Sequence, residues 1–391
     1  MTQPKDFGFD DDAAMLRDTA RKFLADHLPT DKLHRLVAAN SDPYRTPACD
    51  WDQNLWRQIV ALGWTTVAVP EADGGMGMKL AALAGLAEEV GRAALPSPFI
   101  ATALATLVLR ECGGEPARKL LGEIATGRAA TLATTPRSGA WEIDACAVRL
   151  EGGKLQGSAW FVQDARKADV LIVKAASADG IALCAVPVNS AGVDIVPDAI
   201  IDLTRDQAHV QFDNVAVAPG QVLAAPGKGA AALAAAEPAL LTIIAADMCG
   251  AAEWLLQTTA EYARLREQFG HQIGYFQAVK HPLVNLMIAL DQAKSLVYNA
   301  ACAVDSEPER APAYARMAKA AAADVAAYAS NRAIQFHGGI GFTWECAVHL
   351  YTKRQKHNQM FYGDGSYQRA KLAELLMGAV GSGAAVGYSS P

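Results

Sequence analysis

Three short stretches carry residues whose types and spacing could do chemistry. The first runs from Arg266 to His281, Arg-Glu-Gln-Phe-Gly-His-Gln-Ile-Gly-Tyr-Phe-Gln-Ala-Val-Lys-His, between helical patterns at about 238–265 and 276–303. Arg266 is the last strong cation before a turn broken by Gly270 and Gly274. Its planar guanidinium can grip an anion, although the helix dipole alone also favours a cation there. The second stretch is Gln335-Phe-His-Gly-Gly-Ile-Gly-Phe-Thr-Trp-Glu345. Gly338 and Gly339 can end a helix, or let the backbone approach a large ligand closely. The third is Ile243-Ile-Ala-Ala-Asp-Met-Cys-Gly250, where Asp247 interrupts an apolar helix. A carboxylate buried there is expensive unless it is paired or put to use, so Asp247 is half of an ion pair with an Arg or Lys, a solvent-facing accident of helix rotation, or a base whose pKa burial raises. Two further acids stand near these stretches: Asp364, in an Asp-Gly pair suited to a turn, and Glu237, suited to a helix N-terminus.

The order of the blocks is specific. Arg-x-Gln-Phe-Gly, then Phe-Gln-x-x-Lys-His, then Gln-x-His-Gly-Gly-Ile-Gly-Phe resembles the acyl-CoA dehydrogenase family of flavoproteins over nearly the whole chain. The resemblance implies FAD, with a diphosphate held by Arg266, Gln268 and Phe269 from a neighbouring subunit and by Gln335, Gly338 and Gly339. It places the flavin ring against Thr134 and Thr135 of a β loop and against Phe161 and Gln163, which stand where the family has a Trp-x-Thr step. Trp160 is an alternative to Phe161, with core packing as its plainer role. The family removes an α-proton beside a thioester and passes the β-hydride to flavin, which requires one positioned carboxylate. The usual Glu is missing: counted from the Gly338-Gly339 pair, its place falls on Tyr362 of Phe361-Tyr-Gly-Asp364. A minority branch keeps its Glu upstream of the Arg block, and that place falls on Leu240. Asp247 and Asp364 are the candidate bases, with Glu237 third.

The implied activity is dehydrogenation of an acyl-CoA to a 2,3-enoyl-CoA, with electrons leaving to an electron-transfer flavoprotein. The departures at Tyr362 and Thr135 resemble a divergent bacterial branch that acts on bulky acyl chains, steroid side chains included, and is sometimes built from two unlike subunits. Two rivals stay open: a non-catalytic or half-site partner subunit, and a flavin oxidase or monooxygenase of the same fold.

The elements that must position these residues follow from pattern. The chain has 391 residues, 51% of them hydrophobic, enough for a large core in two or three domains. A net charge of −6 argues against nucleic acid as the main partner. Seven scattered cysteines without a Cys-x-x-Cys pair indicate neither zinc nor a disulfide framework, and a reducing cytoplasm is the expected setting. Amphipathic periodicity predicts helices at about 10–27, 52–62, 80–92 and 99–111, with a polar loop over 28–50 and Asp50 or Asp52 as a cap. Short alternating runs then predict a β-barrel or sandwich, beginning at 129–134 and a hairpin turning at Gly152-Gly153. Helices resume after 225, with Pro238 expected at a first turn, Pro312 opening an Ala-rich helix, and a loose tail over 378–391. The predicted fold class is α+β: an N-terminal helical domain (1–126), a middle β domain (127–225) and a C-terminal four-helix bundle (226–391) that mediates oligomerisation in the family.

Overall fold

The computed structural model describes residues 10–38, 49 and 51–378. Six helices come first: α1 (Asp11–His27), α2 (Thr30–Ala38), α3 (Gln53–Ala61), α4 (Leu80–Arg92), α5 (Phe99–Cys112) and α6 (Glu115–Ala125). Helix α2 corrects the expected loop; Leu33 and Val37, four residues apart on one face, are buried and hold it down. Asp52 caps α3 by accepting from the Leu55 N–H, whereas Asp50 and the tail from 379 lie outside the described residues. Eight strands follow: β1 (Ala130–Ala133), β2 (Val148–Glu151), β3 (Lys154–Gln163), β4 (Val170–Ser177), β5 (Gly180–Pro187), β6 (Val193–Pro197), β7 (Gln207–Ala216) and β8 (Val222–Ala224). They form one sheet in the order β6-β7-β3-β2-β4-β5-β8, with β1 parallel to β4. This β unit has its own core, from Leu155, Val173, Val210, Phe212 and their neighbours.

The remainder is α7 (Gly229–Leu265), a short exposed hairpin of β9 (Glu267–Gln268) and β10 (His271–Gln272), α8 (Gln277–Ser306), α9 (Ala311–His337), α10 (Val348–Met360) and α11 (Gly365–Met377). Helices α7 to α10 bundle around α9, and α11 packs on α9 from outside. Pro238 lies inside α7 rather than at its start, because the alanine-rich stretch from Gly229 is already helical. Helix α7 is the one described helix apolar and long enough to cross a membrane, yet 72% of that stretch is buried in the fold.

One crossing fixes the N-terminal helices on the bundle. A Cβ on Gly250 of α7 would lie 1.8 Å from the Glu88 carbonyl oxygen of α4, and one on Gly91 would lie 2.0 Å from that of Asp247. Only hydrogen on both Cα atoms allows the two backbones this contact.

Candidate functional site

Where the β unit meets α10 lies an open cavity of about 500 Å³ lined by Gly139, Trp141, Phe161, Ile200, Ile201, Gln207, Lys356, His357, Met360 and Phe361. That size and apolar, aromatic lining are typical of a cofactor site. The walls follow from local backbone. In the β3–β7 ladder a register shift lies between Ala159 and Val162, and Phe161 in this irregular stretch has φ +57°. Tyr362, after the C-terminus of α10, has φ +56°. Left-handed backbone at a bulky residue is strained and persists where surroundings enforce it, often at functional sites.

Gln163 is the polar hub beside the cavity. Its Nε2 donates to the Phe161 carbonyl at 3.2 Å and to Gln207 Oε1 at 3.1 Å. Its Oε1 accepts from His357 Nε2 at 2.7 Å. Burial lowers the His357 pKa to about 4, so the ring is neutral near pH 7. Gln163 is therefore fully engaged inside the protein, and its first effect is to orient Phe161 and His357. Trp160 faces elsewhere: it stacks on His209 with ring centres 4.1 Å apart. Thr134 and Thr135 line a second, water-sized void of about 10 Å³ with Leu104, Phe361 and Tyr362, and a third of similar size is lined by Ile100, Ile244, Arg205 and Asn358.

Both proposed bases are engaged within the fold. Asp247 is fully buried and saturated: Arg354 reaches it with Nε at 3.1 Å and Nη2 at 2.6 Å, Arg205 with Nη2 at 2.7 Å, and Asn358 with Nδ2 at 2.9 Å. Desolvation pushes its pKa up, but the two guanidinium charges and these hydrogen bonds prevail and hold it below the ordinary carboxylate value. It is a structural anion tying α7 to α10 and to the loop before β7. Asp364 is the N-cap of α11, accepting from the Tyr367 N–H at 2.8 Å. Glu237 is paired with Arg316 Nη2 at 2.6 Å, and its charge is felt by Tyr362, whose pKa is raised by desolvation first and by Glu237 in addition. No Asp or Glu lines any of the three cavities among the described residues.

The expected diphosphate clamp is not completed within one chain. Arg266, Gln268 and Phe269 are exposed, Phe269 at 90%, and the Arg266 guanidinium makes no bond among the described residues. Gln335, Gly338 and Gly339 are exposed as well, and Gly338 ends α9 with φ +61°. The two halves of the clamp nevertheless share one end of the bundle, where Tyr262 of α7 stacks on His337 of α9 at 4.3 Å. Leu265 and Phe342 beside them are 80% and 72% exposed and leave an apolar surface at this end of the bundle.

Sequence reasoning missed Trp141, Gln207, Lys356, His357 and the partners of Asp247. Arg354 and Asn358 sit four apart on a polar helix, and that spacing was the available signal for a shared face.

The comparisons with known proteins agree with one another. Residues 10–128 match the family model described as acyl-CoA dehydrogenase, N-terminal domain, and 242–377 match acyl-CoA dehydrogenase, C-terminal domain. The chain is 31% identical over 341 residues to acyl-CoA dehydrogenase IpdE2 of Mycobacterium tuberculosis, covering 87% of this chain and 89% of that protein. It is 32% identical to acyl-CoA dehydrogenase FadE34 of the same organism, spanning 43% of that longer protein. Among solved structures, the steroid ACAD Tcur3481-Tcur3483 superposes with a TM-score of 0.83 at 28% identity, covering 94% of this chain and 98% of that one. The ChsE4-ChsE5 complex of Mycobacterium tuberculosis gives 0.83 at 24%, covering 95% and 99%, a likeness of fold.

Proposed function

The chain belongs to the acyl-CoA dehydrogenase family of oxidoreductases, and from that premise we propose that it binds FAD and takes part in α,β-dehydrogenation of an acyl-CoA to its 2,3-enoyl-CoA, with electrons passing to an electron-transfer flavoprotein. The observation that carries the reading is the cavity of about 500 Å³ between Phe161 on β3 and His357 and Met360 on α10. Its aromatic walls and neutral imidazole suit a flat, uncharged heteroaromatic ring. FAD, when bound, supplies the hydride acceptor. In this reading Phe161 and Phe361 flank the ring, Gln163 and His357 keep that wall rigid, and Lys356 brings a positive charge to the cavity that favours added electron density. Arg266, Gln268 and Phe269 of one chain, with Gln335, Gly338 and Gly339, hold the diphosphate end across a subunit boundary, which accounts for their exposure in a single chain.

A second reading is favoured by one observation: among the described residues no carboxylate lines these three cavities. Glu237 is an acid whose charge is felt by Tyr362, and Arg316 already engages it. We therefore favour the chain as one half of a heteromeric enzyme, in which a homologous subunit holds the acyl group and the base. The likeness to Tcur3481-Tcur3483 supports both that assembly and a bulky, steroid-like acyl group.

The test is anaerobic titration of the purified, yellow protein with acyl-CoAs of increasing bulk, alone and after assembly with a homologous chain, following flavin absorbance. Bleaching by the assembly alone supports the half-site reading. Bleaching by the isolated protein supports a self-sufficient enzyme, and then Glu237→Gln should abolish it. A protein that stays colourless in both states refutes the FAD assignment.

A further inference from the structure

Trp141, on the loop between β1 and β2, lies face to face with Tyr362, ring centres 5.0 Å apart and planes 19° apart, and meets Phe361 edge-on at 5.6 Å. Trp141 and Phe361 line the large cavity, whereas Tyr362 and Phe361 line the water-sized void beside Thr134 and Leu104. The aromatic group therefore forms the partition between the two. Both sides of it are anchored. On the Trp141 side, Lys174 Nζ, 4% exposed as a residue, donates to the carbonyls of Glu142 at 3.4 Å and Ile143 at 3.2 Å. The Tyr367 hydroxyl adds a bond to Glu142 Oε1 at 3.1 Å.

On the Tyr362 side, Lys319 of α9 has no exposed surface and donates to the carbonyls of Gln359 at 3.2 Å and Gly363 at 3.0 Å. These two bonds bracket Met360, Phe361 and Tyr362. The Tyr362 phenol also shares a side-chain hydrogen bond with Thr134. Gly363 packs closely on α11: a Cβ there would lie 2.2 Å from the Tyr367 ring.

We propose that the Trp141–Tyr362 stack is a fixed plug that bars acyl thioesters from the Thr134 side of the cofactor cavity, so that the acyl site of this chain is closed. The proposal rests on the reading of the large cavity as the flavin site. It explains two facts together: the void lined by Leu104, Thr134 and Phe361 holds about 10 Å³, and the residue at the family's usual base position is a phenol bonded inward rather than a carboxylate. Burial, first of all, raises the Tyr362 pKa, so the phenol stays protonated and serves as packing.

The experiment compares purified wild type with Trp141→Gly and Tyr362→Ala, using butyryl-CoA and octanoyl-CoA as probes. Calorimetry measures binding whether or not flavin is present, and flavin absorbance reports arrival at the ring. The wild type should bind both probes weakly and leave its visible spectrum unchanged, while each variant gains at least tenfold in affinity and shows a perturbed flavin band. Tyr362→Phe keeps the ring stack and should behave as the wild type. Wild-type binding as tight as that of the opened variants, or folded variants without any gain, overturns the plug; so does a wild-type flavin band that either probe shifts, even where both variants fail to fold. A colourless protein whose variants still gain affinity by calorimetry would leave the plug standing and remove the flavin reading instead.

Discussion

Replacing Asp247 by Asn should unfold the junction between α7, α10 and the β unit rather than disable a catalyst. The carboxylate receives four hydrogen bonds, three of them from Arg354 and Arg205. Arg354 is fully buried and the Arg205 side chain is 6% exposed, so neither guanidinium can turn to water. The substitution removes one negative charge, strands two positive ones and turns an amide N–H₂ toward a donor. Removing one partner of a buried pair costs about 3–5 kcal/mol. With a urea slope of about 3 kcal/mol/M, the unfolding midpoint should fall by about 1 M or more. The double variant Asp247→Asn with Arg354→Met should recover about 1–3 kcal/mol relative to Asp247→Asn, because it withdraws one stranded charge and refills the volume. The pH dependence has a definite sign. A carboxyl held below its ordinary value of 3.8 contributes stability that is present above that value and lost as pH falls through the folded one, so Asp247→Asn should flatten the acid limb of unfolding. Urea midpoints and acid titration, both followed by circular dichroism, read these effects. A variant with an unchanged midpoint and lost turnover would falsify the structural assignment and return Asp247 to the chemistry.

Other consequences are equally direct. Gly250→Ala drives a methyl to within 1.8 Å of the Glu88 carbonyl oxygen, and should destabilise the α4–α7 contact by about 3 kcal/mol or more, seen as insoluble expression or an early thermal transition. Arg266→Ala should leave stability within about 0.5 kcal/mol, because the side chain is exposed and unbonded, yet weaken FAD retention by at least tenfold through loss of a charge-assisted contact of about 1.5–3 kcal/mol, measured by flavin release on dilution. Burial lowers the Lys319 pKa from 10.5 to about 7, against an opposing pull from Asp364. The unfolded chain therefore binds more protons between those values, and stability should rise with pH across that window by up to about 1.4 kcal/mol per pH unit, a slope that Lys319→Met removes; equal slopes in the two proteins would refute it.

The composition and period of the chain determined the order of helices, then strands, then helices, because apolar spacing is a local property that burial merely ratifies. The Arg266 and Gly338-Gly339 blocks likewise declared the family, and the helix-ending geometry of Gly338 followed from residue type. Pattern could not foresee that Leu33 and Val37 would find a core, so α2 read as a loop. The role of Asp247 was open for a deeper reason. A buried carboxylate is a base or a structural anion according to who meets it, and its partners Arg205, Arg354 and Asn358 come from 42 to 111 residues away. Trp141 and Tyr362 are equally remote in sequence, yet their rings stack face to face beside the cavity. Periodicity is written in neighbouring residues, whereas the charge state of a buried acid and the shape of a cavity depend on long-range contacts that only the folded chain brings together.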